Sequence, residues 1–234
     1  MLLEACVASV ESAVAAAAGG AARLELNREL ERDGLTPPIR LLRDVLAASG
    51  LPVIAMIRPH DDGFRYDAGQ LDDMARAADE LLAAGAAGVA VGPLDAAGAI
   101  DRDALGRFIE IAGSRGVVFH RAFDRVTDRA AALEELVDAG VVRVLTSAGA
   151  RTAAEGVDGL AALVRQASGR IGILPGGGVG PDNAAAIVHA TGCRELHGTF
   201  RDPGRPSGGT DAGVVARVRR AAVRALSPGG PPAA

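Results

Sequence analysis

The feature that most constrains this chain is a rhythm. A short apolar run is followed by a longer amphipathic or Ala-rich stretch, and the pair recurs eight times between Leu2 and Ala225. Short apolar runs bounded by Gly, Pro or polar residues read as buried strands, and the longer stretches read as helices. The expected strands are Leu2–Val7, Arg23–Asn27, Pro52–Arg58, Gly88–Val91, Val117–His120, Arg143–Thr146, Ile171–Leu174 and Arg194–His197. Ser9 stands where an N-cap belongs before the first helix, without the Glu or Gln of a full capping box, and Gly19-Gly20 ends that helix. Thr36-Pro37 reads as a cap and an N1 proline for a helix running to Gly50. Further helices are expected over Leu71–Ala84, Asp101–Ala112, Arg129–Ala139, Gly159–Ala167, after Pro181-Asp182, and over Asp211–Ala225.

Eight strand–helix units predict an α/β fold, a single-domain (β/α)8 TIM-type barrel over residues 1–226. The rival, a doubly wound sheet, has fewer strands and places its phosphate-binding glycines after the first one. Here the glycine cluster follows the seventh strand, where barrels hold phosphate. The Pro/Gly-rich tail, residues 227–234, is expected to be disordered.

Composition excludes several function classes. Hydrophobic residues make up 49%, yet no uncharged apolar run reaches a membrane span of about 18 residues. The start, Met1-Leu2-Leu3-Glu4, lacks the basic region of a secretory signal. A net charge of −4 and 3% aromatics give no reason to expect nucleic acid. Two cysteines, Cys6 and Cys193, cannot build a disulfide scaffold, so a reducing, cytoplasmic setting is expected.

The chemistry is read around Gly116-Val117-Val118-Phe119-His120-Arg121-Ala122-Phe123-Asp124, an apolar run ending in ionisable residues. In a barrel, residues at the C-terminal strand ends face one shared pocket. Side-chain alternation puts Glu4 with Cys6, Glu25 with Asn27, and Glu195 with His197, each pair on one face of its strand. If those faces point inward, three glutamates meet Arg58, His120 and His197. Buried charges need partners, so a network is expected. Each residue alone has a plainer reading: Arg58 as a loop salt bridge, His120 as a core histidine, Cys193 as a small hydrophobe, Glu195 as the partner of a helix arginine. Their coincidence at one rim favours a functional pocket. There, Glu4, Glu25, Arg58, His120, Arg121 and His197 are the candidate catalytic residues, with His120 or Glu25 as general acid or base and Arg58 as anion clamp. Gly176, Gly177 and Gly178, with Thr146 and Ser147, are the candidate anion-binding residues, since glycines admit close approach and a helix N-terminus follows. Asp182 could cap that helix instead. The substrate on this reading is a small phosphate- or carboxylate-bearing anion.

The blocks Leu3-Glu4-Ala5-Cys6-Val7, Arg23-Leu24-Glu25-Leu26, Gly34-Leu35-Thr36-Pro37, Met56-Ile57-Arg58-Pro59, Phe119-His120-Arg121-Ala122-Phe123-Asp124, Arg143-Val144-Leu145-Thr146-Ser147 and Pro175-Gly176-Gly177-Gly178 resemble the CutC copper-homeostasis family, in register over about residues 2–200. The resemblance implies a cytoplasmic TIM-type barrel, a homo-oligomer (most simply a dimer), a link to copper tolerance, and Cu(I) as a ligand with Cys6 as metal-binding residue. The chain departs from the family where a cysteine often follows the Glu-Leu of the second strand. Asn27 stands there, so Cys6 lacks a thiol partner. The loop before Leu35-Thr36-Pro37 reads Arg32-Asp33-Gly34, and the segment Gly198–Gly209 is shorter than is usual in the family.

Overall fold

The computed structural model describes residues 1–202, 204 and 208–226, so the Pro/Gly-rich tail and part of the Gly198–Gly209 segment lie outside the described residues. Among the described residues, eight strands alternate with eight α-helices. The strands are β1 (Leu2–Val7), β2 (Arg23–Leu26), β3 (Val53–Met56), β4 (Gly88–Val91), β5 (Val117–Phe119), β6 (Arg143–Thr146), β7 (Gly172–Pro175) and β8 (Glu195–Gly198). The helices are α1 (Val10–Gly19), α2 (Ile39–Ser49), α3 (Ala68–Ala83), α4 (Arg102–Ala112), α5 (Arg129–Ala139), α6 (Val157–Ala167), α7 (Ala184–Thr191) and α8 (Ala212–Ala225). All ladders are parallel, in the order β7-β6-β5-β4-β3-β2-β1-β8, and β7 and β8 lie side by side at the seam. This is the expected (β/α)8 TIM-type barrel, nearly closed.

Local chemistry sets the element ends. Ser9 caps α1 by accepting from Ser12 N at 3.2 Å, and Asp101, Asp128 and Asp211 cap α4, α5 and α8 in the same way. A full capping box between Asp67 and Gln70 starts α3 at Ala68, ahead of the expected Leu71. Thr36-Pro37 does not open α2. Pro38 is the N-cap, and Thr36 Oγ1 accepts from Arg58 N at 2.8 Å, tying the β2–α2 loop to the end of β3. Nor does Asp182 cap α7. Asn183 closes the turn before the helix, accepting from Gly180 N at 2.9 Å and donating to Gly178 O at 2.8 Å. Asn27, Arg58 and His120, expected as the last strand residues, lie just past the named strands.

The interior of the barrel is divided. Ile54, Met56, Ala90, Val118, Leu145 and Leu174 fill the side made by β3 to β7 with a small apolar cluster. Burying such a side chain contributes roughly 1.5–3 kcal/mol for a Val, Leu, Ile or Met. The side made by β1, β2 and β8 is charged, because register brings Glu4 opposite Arg23 and His197, and Cys6 opposite Glu25. At the N-terminal end, Arg23 forms ion pairs with Glu4 and Glu195, the latter at 2.8 Å, and Arg143 reaches the same Glu195 oxygen at 2.8 Å. Glu195 therefore belongs to this lower network and not to the mouth where parity alone had placed it. Its partners come from barrel strands, not from a helix.

Candidate functional site

Side chains that continue the inward parity open into one cleft of about 490 Å³ at the C-terminal mouth. Cys6, Glu25, Arg58, His120 and His197 line its floor and walls, with Met56, Phe64 and Leu145. Asp33, Arg121, Asp124, Arg125 and Arg151 also line it. Five of the expected catalytic residues, Glu25, Arg58, His120, Arg121 and His197, and Cys6 are thus brought together. Glu4 lies one step below, reached through His197.

On the charged side a carboxylate–imidazole–carboxylate line runs outward. His197 Nδ1 is 2.8 Å from Glu4 Oε1, and its Nε2 is 3.9 Å from Glu25 Oε2. Burial opposes charge on all three. For His197 the neighbouring Glu25 and Glu4 outweigh burial and raise its pKa. For Glu4 the hydrogen bond and charge of His197, then Arg23, outweigh burial and lower it to about 2. For Glu25 burial wins, against the pull of His197, and its pKa is raised. Burial, then the neighbouring Glu25, holds the Cys6 thiol well above its ordinary value. Asn27 Nδ2 lies 2.9 Å from Glu25 Oε2 and 3.3 Å from Cys6 Sγ, joining the two. Gly34 makes room for it: a Cβ there would run into the Asn27 carboxamide.

Across the cleft, Arg58 is buried with no carboxylate partner among the described residues. Its Nη1 donates to Arg32 O at 3.1 Å and Gly34 O at 3.2 Å, its Nη2 to Asp61 O at 3.4 Å, and its Nε has no partner among the described residues. The guanidinium lies 5.1 Å from the centre of the Phe64 ring. So Arg58 does hold a loop, through carbonyls and not through a salt bridge. His120 Nδ1 accepts from Ala122 N at 3.1 Å. The neutral ring therefore carries its proton on Nε2, which is buried and without a partner among the described residues. Burial, then the charge of Arg58, lowers its pKa to about 3. His120 is accordingly a neutral donor through its Nε2. Gly92, which the sequence reading did not single out, leaves the space the imidazole occupies. Only a three-dimensional contact reveals it.

The expected anion residues behave differently. Asp124, from the same block as His120, accepts from Thr146 Oγ1 at 2.5 Å, Ser147 N at 3.1 Å, Ser147 Oγ at 3.0 Å and Gly149 N at 3.0 Å. A carboxylate of the chain itself thus fills the position where Thr146 and Ser147 were expected to hold a ligand. Arg121 pairs with Asp124 at 2.8 Å and donates to Ser147 Oγ at 2.8 Å. Gly177 and Gly178 adopt positive φ, +99° and +71°, which glycine allows at little cost. Gly176 serves packing: a Cβ there would come within 2.5 Å of Leu145 Cδ1 and 3.3 Å of His197 Cδ2. None of the three is among the residues lining the cleft.

One group of potential metal ligands occurs among the described residues. The donor atoms of Cys6, Glu25 and His197 lie within 4.8 Å of one another. With Nδ1 engaged by Glu4, His197 presents Nε2, the carboxylate–imidazole arrangement common behind metal ligands. Cu(I) favours several soft sulfur ligands. One buried thiol with a carboxylate and an imidazole fits a borderline divalent ion better than Cu(I).

The profile of the CutC family matches residues 1–202. The chain belongs to the CutC family. Similar relatives include a CutC family protein of Caulobacter vibrioides, 46% identical over 203 residues, covering 87% of this chain and 82% of the relative. Another, from Treponema denticola, is 44% identical over 195 residues, covering 83% and 79%. A solved structure described as that of a candidate copper homeostasis protein CutC from Streptococcus agalactiae superposes with a TM-score of 0.81 at 28% identity, covering 85% of this chain and 98% of that one. A thiamine phosphate pyrophosphorylase of Pyrococcus furiosus shares the fold alone, with a TM-score of 0.64 at 17% identity and 97% of each chain covered.

Proposed function

We propose that this CutC family protein binds a small anionic substrate at its C-terminal mouth and performs acid–base chemistry on it, with Glu25 as the titrating group. One observation carries the reading. Glu25 Oε1, Arg58 Nε and His120 Nε2 are buried, have no partner among the described residues, and belong to residues lining a single cleft. An unsatisfied buried polar group costs about 1–3 kcal/mol. Three at one place are expected where a ligand completes them, and a cleft of about 490 Å³ suits a metabolite-sized one. Arg58 is the anion clamp on this reading. Calorimetry or ligand-detected NMR with phosphate, sulfate and small carboxylates should show binding, and Arg58→Ala should weaken it by about 1.5–3 kcal/mol, the range for a hydrogen bond to a charged group. Equal binding by both proteins, or none by either, would sink the reading.

A second reading is copper handling, the role named for the Streptococcus agalactiae protein. It is favoured by the closeness of Cys6, Glu25 and His197. The chemistry of those donors makes Cu(I) binding weak, because Asn27 offers no thiol. In a competition titration against a Cu(I) chelator, the chain should lose the metal to the chelator. Tight stoichiometric binding abolished by Cys6→Ala would favour copper over the anion reading.

A further inference from the structure

We infer that the mouth catalyses proton transfer at a carbon adjacent to a carbonyl group, on a small carbonyl compound carrying a phosphate or carboxylate tail. The inference rests on the anion-binding reading above and names the reaction and substrate class of the same site. The three unpartnered atoms are two donors and one acceptor. His120 presents Nε2–H, because Ala122 N occupies Nδ1 at 3.1 Å. Arg58 presents Nε–H, because its terminal nitrogens are held by the carbonyls of Arg32, Gly34 and Asp61. Phe64 packs against both, its ring centre 5.1 Å from the Arg58 guanidinium and 5.1 Å from the His120 ring centre. That packing fixes the donors relative to each other, as preorganised stabilisation of an oxyanion requires. Glu25 is the acceptor. Asn27 Nδ2 holds its Oε2 at 2.9 Å and leaves Oε1 free.

This set complements an enolate. The C–H bond next to the carbonyl breaks, its proton passes to Glu25 Oε1, and its electron pair forms the new C=C bond. The carbonyl π pair moves onto oxygen, where the His120 and Arg58 N–H groups receive the charge. Glu25 then returns the proton to the same carbon, a racemisation; where that carbon bears a hydroxyl, the hydroxyl proton moves to the former carbonyl oxygen and Glu25 protonates the former carbonyl carbon, an isomerisation, and neither course needs an oxidant or co-reactant. A fixed neutral imidazole donating to the oxygen while a glutamate takes the proton is a known division of labour in enolising barrels. With the Arg58 Nε–H engaged by the enolate oxygen, the tail of such a substrate falls to the rim, whereas a simple anion takes that N–H itself. Arg121, Arg125 and Arg151 line the cleft on the side of the β5–α5 and β6–α6 loops. Arg125 makes no ion pair among the described residues.

The test incubates the full chain in D2O with dihydroxyacetone phosphate or hydroxypyruvate, each against a protein-free control. NMR follows loss of the proton next to the carbonyl, and saturation transfer follows binding. We expect exchange above the control with at least one probe, and which one exchanges tells a phosphate tail from a carboxylate tail. Glu25→Gln should lower that exchange by about 10²-fold or more, the usual contribution of a general base, while the probe still binds. Glu25→Asp should retain part of it. Binding without exchange by the wild-type chain overturns proton transfer and leaves anion binding standing. Exchange undiminished in Glu25→Gln overturns the assignment of the base. If neither probe binds, the anion reading falls and the inference falls with it.

Discussion

A backbone N–H from Ala122 occupies His120 Nδ1, and that single bond decides what His120 can do. Sequence parity placed the residue correctly at the mouth. It could not show the bond, because the turn Arg121–Arg125 that supplies the N–H is a short 3-10 helix without a strong sequence signature. The same holds for Gly92, whose role is to be absent from the space of a side chain far away in sequence. Gly92→Ala would put a Cβ against the His120 ring and 2.7 Å from Ala122 Cβ. Overpacking of this kind costs about 1–3 kcal/mol. We expect the imidazole to be displaced and anion affinity to fall with stability, read by denaturant titration and by calorimetry with phosphate. A Gly92→Ala protein as stable and as avid as the wild type would refute this account of the pocket.

At the scale of elements, the Phe119–Asp124 and Arg143–Ser147 blocks look independent in the sequence, yet the structure makes them one unit. Asp124 accepts from Thr146 Oγ1 and from the N–H groups of Ser147 and Gly149, so it organises the turn that leaves β6. That turn includes Ala148 at φ +57°, a conformation an alanine holds only when its surroundings impose it. Asp124→Ala should therefore loosen the β6–α6 loop and destabilise the fold by about 1.5–3 kcal/mol, as loss of hydrogen bonds to a charged group does. Asp124→Asn should recover part of that. Chemical denaturation measures both, and a stability change within error for Asp124→Ala would exclude the organising role. The strands and helices were legible because their apolar periods differ. Their ends were less so, since a cap is one residue deep. The Asp67–Gln70 capping box carried a readable signature, whereas the shift of α2 past Thr36-Pro37 depended on Thr36 being claimed by Arg58 N.

The barrel as a whole is held by two unlike halves, and this gives its stability a definite pH dependence. The apolar half responds little to protons. In the polar half, His120 has a pKa lowered to about 3 from an ordinary 6.5 by burial and by Arg58. Between those values the unfolded chain binds a proton that the folded chain refuses, so stability falls as pH drops from 6.5 toward 3. Glu4, lowered to about 2 from 4.5, adds a contribution that is present above 4.5 and is lost as pH falls toward 2. His197 runs the other way: its pKa is raised, so its contribution is present below 6.5 and is lost as pH rises through the folded value. Glu25, also raised, weakens the fold as pH rises above 4.5. Stability should thus decline on both sides of a mildly acidic to neutral optimum. The acid limb can be assigned, because a single proton sets a slope of at most about 1.4 kcal/mol per pH unit. His120→Gln removes the titrating ring and should flatten the limb between pH 6.5 and 4.5 while leaving the loss below 4.5 that Glu4 causes. Urea titrations of both proteins across that range measure it. A variant whose stability declines as steeply as the wild type over the upper part of the window would show that His120 is not the buried neutral donor on which the reading of the mouth depends.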